Sequence, residues 1–222
     1  MAATVIGSSE KQFERVVITG SAAEALGGAA AAVLALVGLT GTASVNVAAV
    51  ACITLGVVFL LGSGLFAAEY HKVVSDVGGT PWSAAEYGGG LGAQAIAGIA
   101  AIMLGILALL GIDPQIILST TVLSLGAGLL LGSGVVARMA RVHPENGENA
   151  DAFTGRVSGQ LASGASGSQS LIGFGAVLLG ILGLLNFAPL LLVLTALLGI
   201  GLANFVSGSA MASRVLSVFG VS

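Results

Sequence analysis

Six apolar runs, separated by polar or turn-forming residues, organise the chain. They are Glu24–Leu39, Val47–Ala68, Leu91–Leu110, Gln115–Ala137, Ser168–Leu185 and Leu190–Met211. Each is of spanning or near-spanning length for a bilayer core about 30 Å thick, which a helix of roughly 20 apolar residues crosses. The runs come in pairs with short connections: Thr40 to Asn46, Gly111 to Pro114, and Asn186 to Pro189. Pro114 and Pro189 stand where a new helix would begin, a position at which the missing amide proton costs nothing. Turns this short make each pair antiparallel neighbours. The expected fold is an all-α membrane protein of six transmembrane helices in three hairpins.

The hairpins match one another at fixed offsets. Adding 75 to the second pair carries Leu104-Gly105-Ile106-Leu107 onto Leu179-Gly180-Ile181-Leu182, and Pro114 onto Pro189. Subtracting 70 carries Gly111 onto Gly41, Leu125-Gly126 onto Leu55-Gly56, and Leu131-Gly132-Ser133-Gly134 onto Leu61-Gly62-Ser63-Gly64. The third copy has the variant Val206-Ser207-Gly208-Ser209. An even number of spans per copy makes these parallel repeats, not inverted ones. The expected divisions are an N-terminal segment 1–21, hairpin 22–69, connection 70–90, hairpin 91–137, polar connection 138–167, hairpin 168–214 and tail 215–222. The Gly/Ser-rich second half of the longer connection reads as a flexible linker.

Composition agrees with a lipid environment. The 222 residues are 56% hydrophobic and only 8% charged, with mean hydropathy +1.05, against about 25% charged in soluble domains. Glycine contributes 35 residues, far above its usual share of about 7%. In membrane helices small residues let backbones approach closely. The expected packing glycines are Gly62, Gly64, Gly126, Gly128, Gly132, Gly134, Gly180, Gly183 and Gly201, with Gly128 and Gly132 as a GxxxG surface.

All seven basic residues (Lys11, Arg15, Lys72, Arg138, Arg141, Arg156 and Arg214) lie in the terminal segments or the two long connections, and none in the short turns. The positive-inside rule therefore puts both termini in the cytoplasm. Ser9 to Ile18 could fold as a short interfacial amphipathic helix or fray as an ordinary terminus. The net charge of -3 gives no reason to expect a nucleic-acid partner.

Chemistry-bearing residues are few. Glu24 and Glu69 sit at the ends of spans, where interfacial anchoring accounts for them. Asp113 precedes Pro114, as a helix cap would. His71 and His143 fall in the long connections without metal-ligand spacing. Cys52, the single cysteine, reads as a small buried hydrophobe. No catalytic triad, phosphate loop or carboxylate pair is present, so no cofactor, metal or enzymatic activity is expected. The neutral polar residues Thr54, Thr120, Thr121, Ser124, Thr195 and Asn204 lie inside spans. Hydroxyls there bond back to their own helix, while Asn204 is expected to bond a neighbouring helix or subunit.

The stretch Leu178 to Asn186 with Pro189 and Val206-Ser207-Gly208 resembles the repeated hairpin of HdeD-like membrane proteins, as does Leu104 to Leu110 with Pro114 and Gly132-Ser133-Gly134. The resemblance covers the hairpins and is weakest in the first, which is alanine-rich. It implies a six-span protein of the bacterial inner membrane with a link to acid stress, and it supplies no catalytic residues. Two functions follow. One is a scaffold or accessory subunit that packs against itself or a larger membrane complex. The other is a channel or facilitator for a small neutral solute, with Thr54, Thr120, Ser124, Thr195 and Asn204 along its path. Convergence of those five on a common axis would favour the channel.

Overall fold

The computed structural model describes the backbone of residues 22–42, 44–77, 81–139 and 152–218, and side chains within 22–42, 44–63, 92–133 and 167–209. The segment 1–21, residues 140–151, the tail beyond 218 and the side chains of Glu69, His71, Lys72, Gly64 and Gly134 lie outside the described residues. Every described element is a helix: α1 (Ala22–Leu39), α2 (Ser44–Val77), α3 (Pro81–Leu109), α4 (Pro114–Met139), α5 (Ala152–Leu184) and α6 (Pro189–Val218). Six stretches, one in each helix, are long and apolar enough to cross a membrane. The chain is a multi-pass membrane protein.

The helix starts follow local chemistry. Pro81, Pro114 and Pro189 each open a helix, where a fixed φ is already helical. The second and third turns share one backbone, and the described part of the first begins in the same way. Gly41 and Gly111 have φ of 88° and 79°, and Asn186, 75 residues after Gly111, has 65°. Asparagine is one of the few side chains that enters this left-handed region readily. At the second and third turns the Ile112 amide donates to the Leu107 carbonyl at 3.3 Å, and the Phe187 amide to Leu182 at 3.2 Å, the six-to-one bond of a Schellman cap. The Asp113 carbonyl accepts the Ile117 amide at 3.2 Å, and Ala188 plays the same part for Leu192. Since Ala188 does this without a carboxylate, backbone geometry is enough to start that helix.

Two connections differ from expectation. Most of 70–90 is helix, as α2 runs to Val77 and α3 begins at Pro81. The Gly/Ser-rich linker expected before hairpin three is also helix, since α5 begins at Ala152. Glycine and serine are poor helix formers alone, but a helix already nucleated by a membrane span extends without a new nucleation cost. At 1.5 Å per residue, the 34 residues of α2 reach about 50 Å, well beyond the apolar slab.

α2, α4 and α6 contact one another, and each has an outer helix on either side. The inner spans are 50%, 56% and 44% buried, against 33%, 28% and 28% for α1, α3 and α5. Fully buried positions recur three and four apart along the inner helices, the spacing of the heptad seam in a three-stranded coil. Four layers result: Ala48, Leu118 and Val193; Cys52, Val122 and Leu197; Leu55, Leu125 and Ile200; Phe59, Leu129 and Asn204. No member is more than 2% exposed. Within every layer the numbers differ by 70 and 75. Cys52 is a buried member of the column, as its apolar setting suggested.

Candidate functional site

The surfaces that assemble the bundle are three seams between an inner helix and the following outer helix. Each is centred on two glycines whose backbones touch. A Cβ on Gly56 would stand 2.6 Å from the Gly98 carbonyl oxygen, and one on Gly98 would stand 2.7 Å from that of Gly56. Gly126 and Gly173 repeat this at 2.9 and 3.0 Å, and Gly28 and Gly201 at 2.7 and 2.8 Å. Such reciprocal approach brings Cα–H groups against carbonyl oxygens across the helix pair. The last pair joins α6 to α1, so the outer helices and inner helices close into a ring. Again the offsets are 70 and 75.

From each of those outer glycines a stripe of small residues continues at heptad spacing: Gly28, Ala31, Ala35 and Gly38; Gly98, Ala101, Gly105 and Ala108; Gly173, Ala176, Gly180 and Gly183. Gly105 would place a Cβ 2.7 Å from Ile53, Gly180 would meet the Leu123 backbone at 3.0 Å, and Gly183 the Ser119 hydroxyl at 2.6 Å. With no oil-to-water difference to drive association inside lipid, close packing of this kind does the joining.

The packing glycines expected from sequence divide into two kinds. Gly126, Gly180, Gly183 and Gly201 lie in the seams. Gly128 and Gly132 lie on one face of α4 and both approach α3 around Gln94. Gly128 rests on Ala97, whereas Gly132 makes room for the Gln94 side chain, whose Oε1 would be 3.1 Å from an added Cβ. Gly62 faces the same amide at 4.0 Å. Sequence reading missed Gly28, Gly56, Gly98, Gly105 and Gly173 as packing residues. The signal was present in the offsets, which carry Gly28 to Gly98 to Gly173 and Gly56 to Gly126 to Gly201.

The five residues of the expected polar path do not converge. Thr54 donates to the Val50 carbonyl at 2.9 Å, Thr120 to Ile116 at 2.8 Å and Thr195 to Leu191 at 2.8 Å. These three and Ser124 are half-buried or exposed and lie off the axial seam. Thr121 is buried but also bonds back, to Ile117 at 2.8 Å. Only Asn204 stands in the axial column. Contrary to expectation it bonds no neighbouring helix: Nδ2 donates to the Ile200 carbonyl at 3.0 Å, and Oδ1 is buried without a partner. At the turn end, Val45, Gln115, Leu118, Pro189, Leu190 and Val193 leave a dimple with no room for a water molecule.

Glu24 stands at the start of its span, as expected, but it faces the bundle interior. It is only 4% exposed, and it shares its register with two other buried polar residues, Gln94 and Gln169, 70 and 145 positions later. Hydropathy sets Glu24 at the edge of a span, but helix register turns it inward. Between α4 and α5, the hydroxyls of Ser133 and Ser170 lie 2.7 Å apart. Among the described residues no group of three His, Cys, Asp or Glu side chains could hold a metal.

No family model, curated protein or solved structure matches the chain.

Proposed function

We propose that the chain is a non-catalytic membrane scaffold or accessory subunit, built from three parallel copies of a helical hairpin. The observation that carries this reading is the filled axis: four layers of fully buried side chains occupy the line along which a threefold bundle would conduct. The hydroxyls of Thr54, Thr120 and Thr195 are turned back onto their own helices away from the axis, and among the described residues they form no continuous polar lining. The offsets of 70 and 75, which recur in the glycine seams, the layers and the turns, support triplication. The distribution of basic residues supports cytoplasmic termini. The likeness to HdeD-like proteins supports a bacterial inner-membrane protein with a part in acid stress. The lipid-facing apolar side chains of α1, α3 and α5, such as Val33, Met103 and Phe174, supply the bilayer contact and the surface for a second copy or a larger complex.

Extraction in a mild detergent followed by native mass measurement tests the scaffold. A discrete homo-oligomer or a heteromeric complex is expected, and a lone monomer under every gentle condition would count against it. Stopped-flow swelling of proteoliposomes in glycerol or urea tests the channel reading. Swelling no faster than that of protein-free vesicles is expected, and a protein-dependent acceleration would replace the scaffold with the facilitator.

A further inference from the structure

The axial column changes character at the end nearest the long, basic connections. After the layer of Phe59, Leu129 and Asn204, the next seam positions are Gly62, Gly132 and Ser207, which place little or no side chain on the axis. The space is used from outside. The Gln94 side chain reaches in from α3 to lie between α2 and α4, its amide facing Gly132 on one side and Gly62 on the other. Glu24 and Gln169 occupy the matching register on α1 and α5, and all three are at least nine-tenths buried. One turn deeper the floor is Phe59, Leu129 and Asn204, and the Asn204 Oδ1 has no hydrogen-bond partner. The Asn204 backbone lies against Gly28, one turn along α1 from Glu24.

By register, and among the described residues, this end of the axis carries one carboxyl and two carboxamides, with an unpartnered amide oxygen one turn below and apolar layers beneath. Oxygen ligands suit hard cations. Neutral carbonyl oxygens can replace the hydration shell of an alkali ion. A single carboxylate balances one positive charge, whereas divalent-ion sites usually gather several. An ionisable residue facing the interior of a membrane bundle also calls for a partner. We propose that Glu24, Gln94, Gln169 and Asn204 bind one monovalent alkali cation on the bundle axis. The Glu24 carboxylate neutralises the ion, and the amide oxygens of the other three complete its shell. The ion is a fixed one, because the column beneath it is filled. It ties α1 to the rest of the ring at the seam where the chain's first and last described helices meet. The site goes beyond the scaffold reading and does not depend on it.

The test is thermal unfolding of the full-length protein in detergent, followed by circular dichroism at fixed pH and ionic strength, with sodium or potassium replaced stepwise by choline. Ligand that binds only the folded state raises the midpoint with concentration. A saturable rise with sodium or potassium, absent with choline, is expected. Glu24→Gln should abolish it, and the bundle already accommodates glutamine at this register twice. Asn204→Leu should weaken the apparent affinity at least tenfold while keeping the fold, since Leu129 fills the matching place. Equal midpoints in all three salts would overturn the site, as would a response that survives Glu24→Gln. If Glu24→Gln does not fold, an unchanged cation response in Asn204→Leu would overturn it alone.

Discussion

Along α2, α4 and α6 the positions that face the axis carry mostly Leu, Ile, Val and Phe, whereas along α1, α3 and α5 the positions that face the seams carry mostly Gly and Ala. Both sets are spaced as heptads and both are buried, yet they join helices differently. The inner helices meet side chain to side chain, as knobs in holes. The outer helices meet the inner ones backbone to backbone, with a glycine on each side of the closest point. The difference teaches where error is tolerated. A column of large side chains can shrink or repack, because rotamers move. Two backbones at the distance set by glycine have nothing that can give.

The largest effect should therefore come from a side chain placed in a seam. Gly201→Leu puts a Cβ 2.8 Å from both the Ala32 amide nitrogen and the Gly28 carbonyl oxygen. Backbone on both sides blocks relief, so a loss of about 4 kcal/mol or more is expected, at the exceptional end for one substitution. Gly56→Leu and Gly126→Leu should behave alike. Gly92→Leu is the control, because nothing lies within 4 Å of a Cβ there. Unfolding in mixed detergent micelles measures all four, and a Gly201→Leu protein as stable as the control would break the comparison.

Second is a cavity in the column. Leu125→Ala empties the middle of a layer with Leu55 and Ile200, all fully buried. A loss of about 3 kcal/mol is expected from the removed contacts and the partly unrelaxed void. A loss below about 1 kcal/mol would mean that the inner helices close up around small residues as readily as the seams do, and the two regions would no longer differ in kind.

Much of this arrangement was legible in the sequence. Apolar run length gave the six spans, and Pro114, Pro189 and Gly111 gave the turns. Helix adjacency was not legible, because six apolar helices with short turns can be ordered around an axis in several ways. Without that order, Gly56 and Gly98 cannot be recognised as partners. Composition misled at residues 155–169, where glycine and serine suggested a linker but the preformed span carries the helix onward. Hydropathy placed Glu24 at the edge of its run, where it is, but could not show that it faces inward. The offsets that place it with Gln94 and Gln169 hold the correct answer, since two buried glutamines in the same register point that position inward.

Third is the one polar member of the column. Asn204→Leu restores the residue found at the matching position of α4, and it removes a buried oxygen that has no partner. An unmade hydrogen bond of this kind costs about 1–3 kcal/mol. A rise in stability of about 1 kcal/mol is expected in choline salts, after the one bond to Ile200 is lost. Destabilisation in the same salts would show that asparagine makes an interaction that leucine cannot replace, and that this layer is not simply part of the apolar column.

The smallest effect should come from the hydroxyls on the flanks of the inner helices. Thr120→Val and Thr195→Val keep side-chain volume and remove one bond each to a carbonyl four residues back. That carbonyl still accepts its helical amide, so no buried group is orphaned. Both side chains lie away from the axis and from the seams, so neither region is disturbed. A change within about 0.5 kcal/mol is expected for each, as for substitutions away from packed features. The double variant should be additive, since the two residues share no contact that couples them. A clear excess over the sum would place the two threonines in one polar cluster, against their separate bonds to their own helices. The same pair sharpens the functional reading, because a lined path would register their loss in solute flux while a filled axis would not.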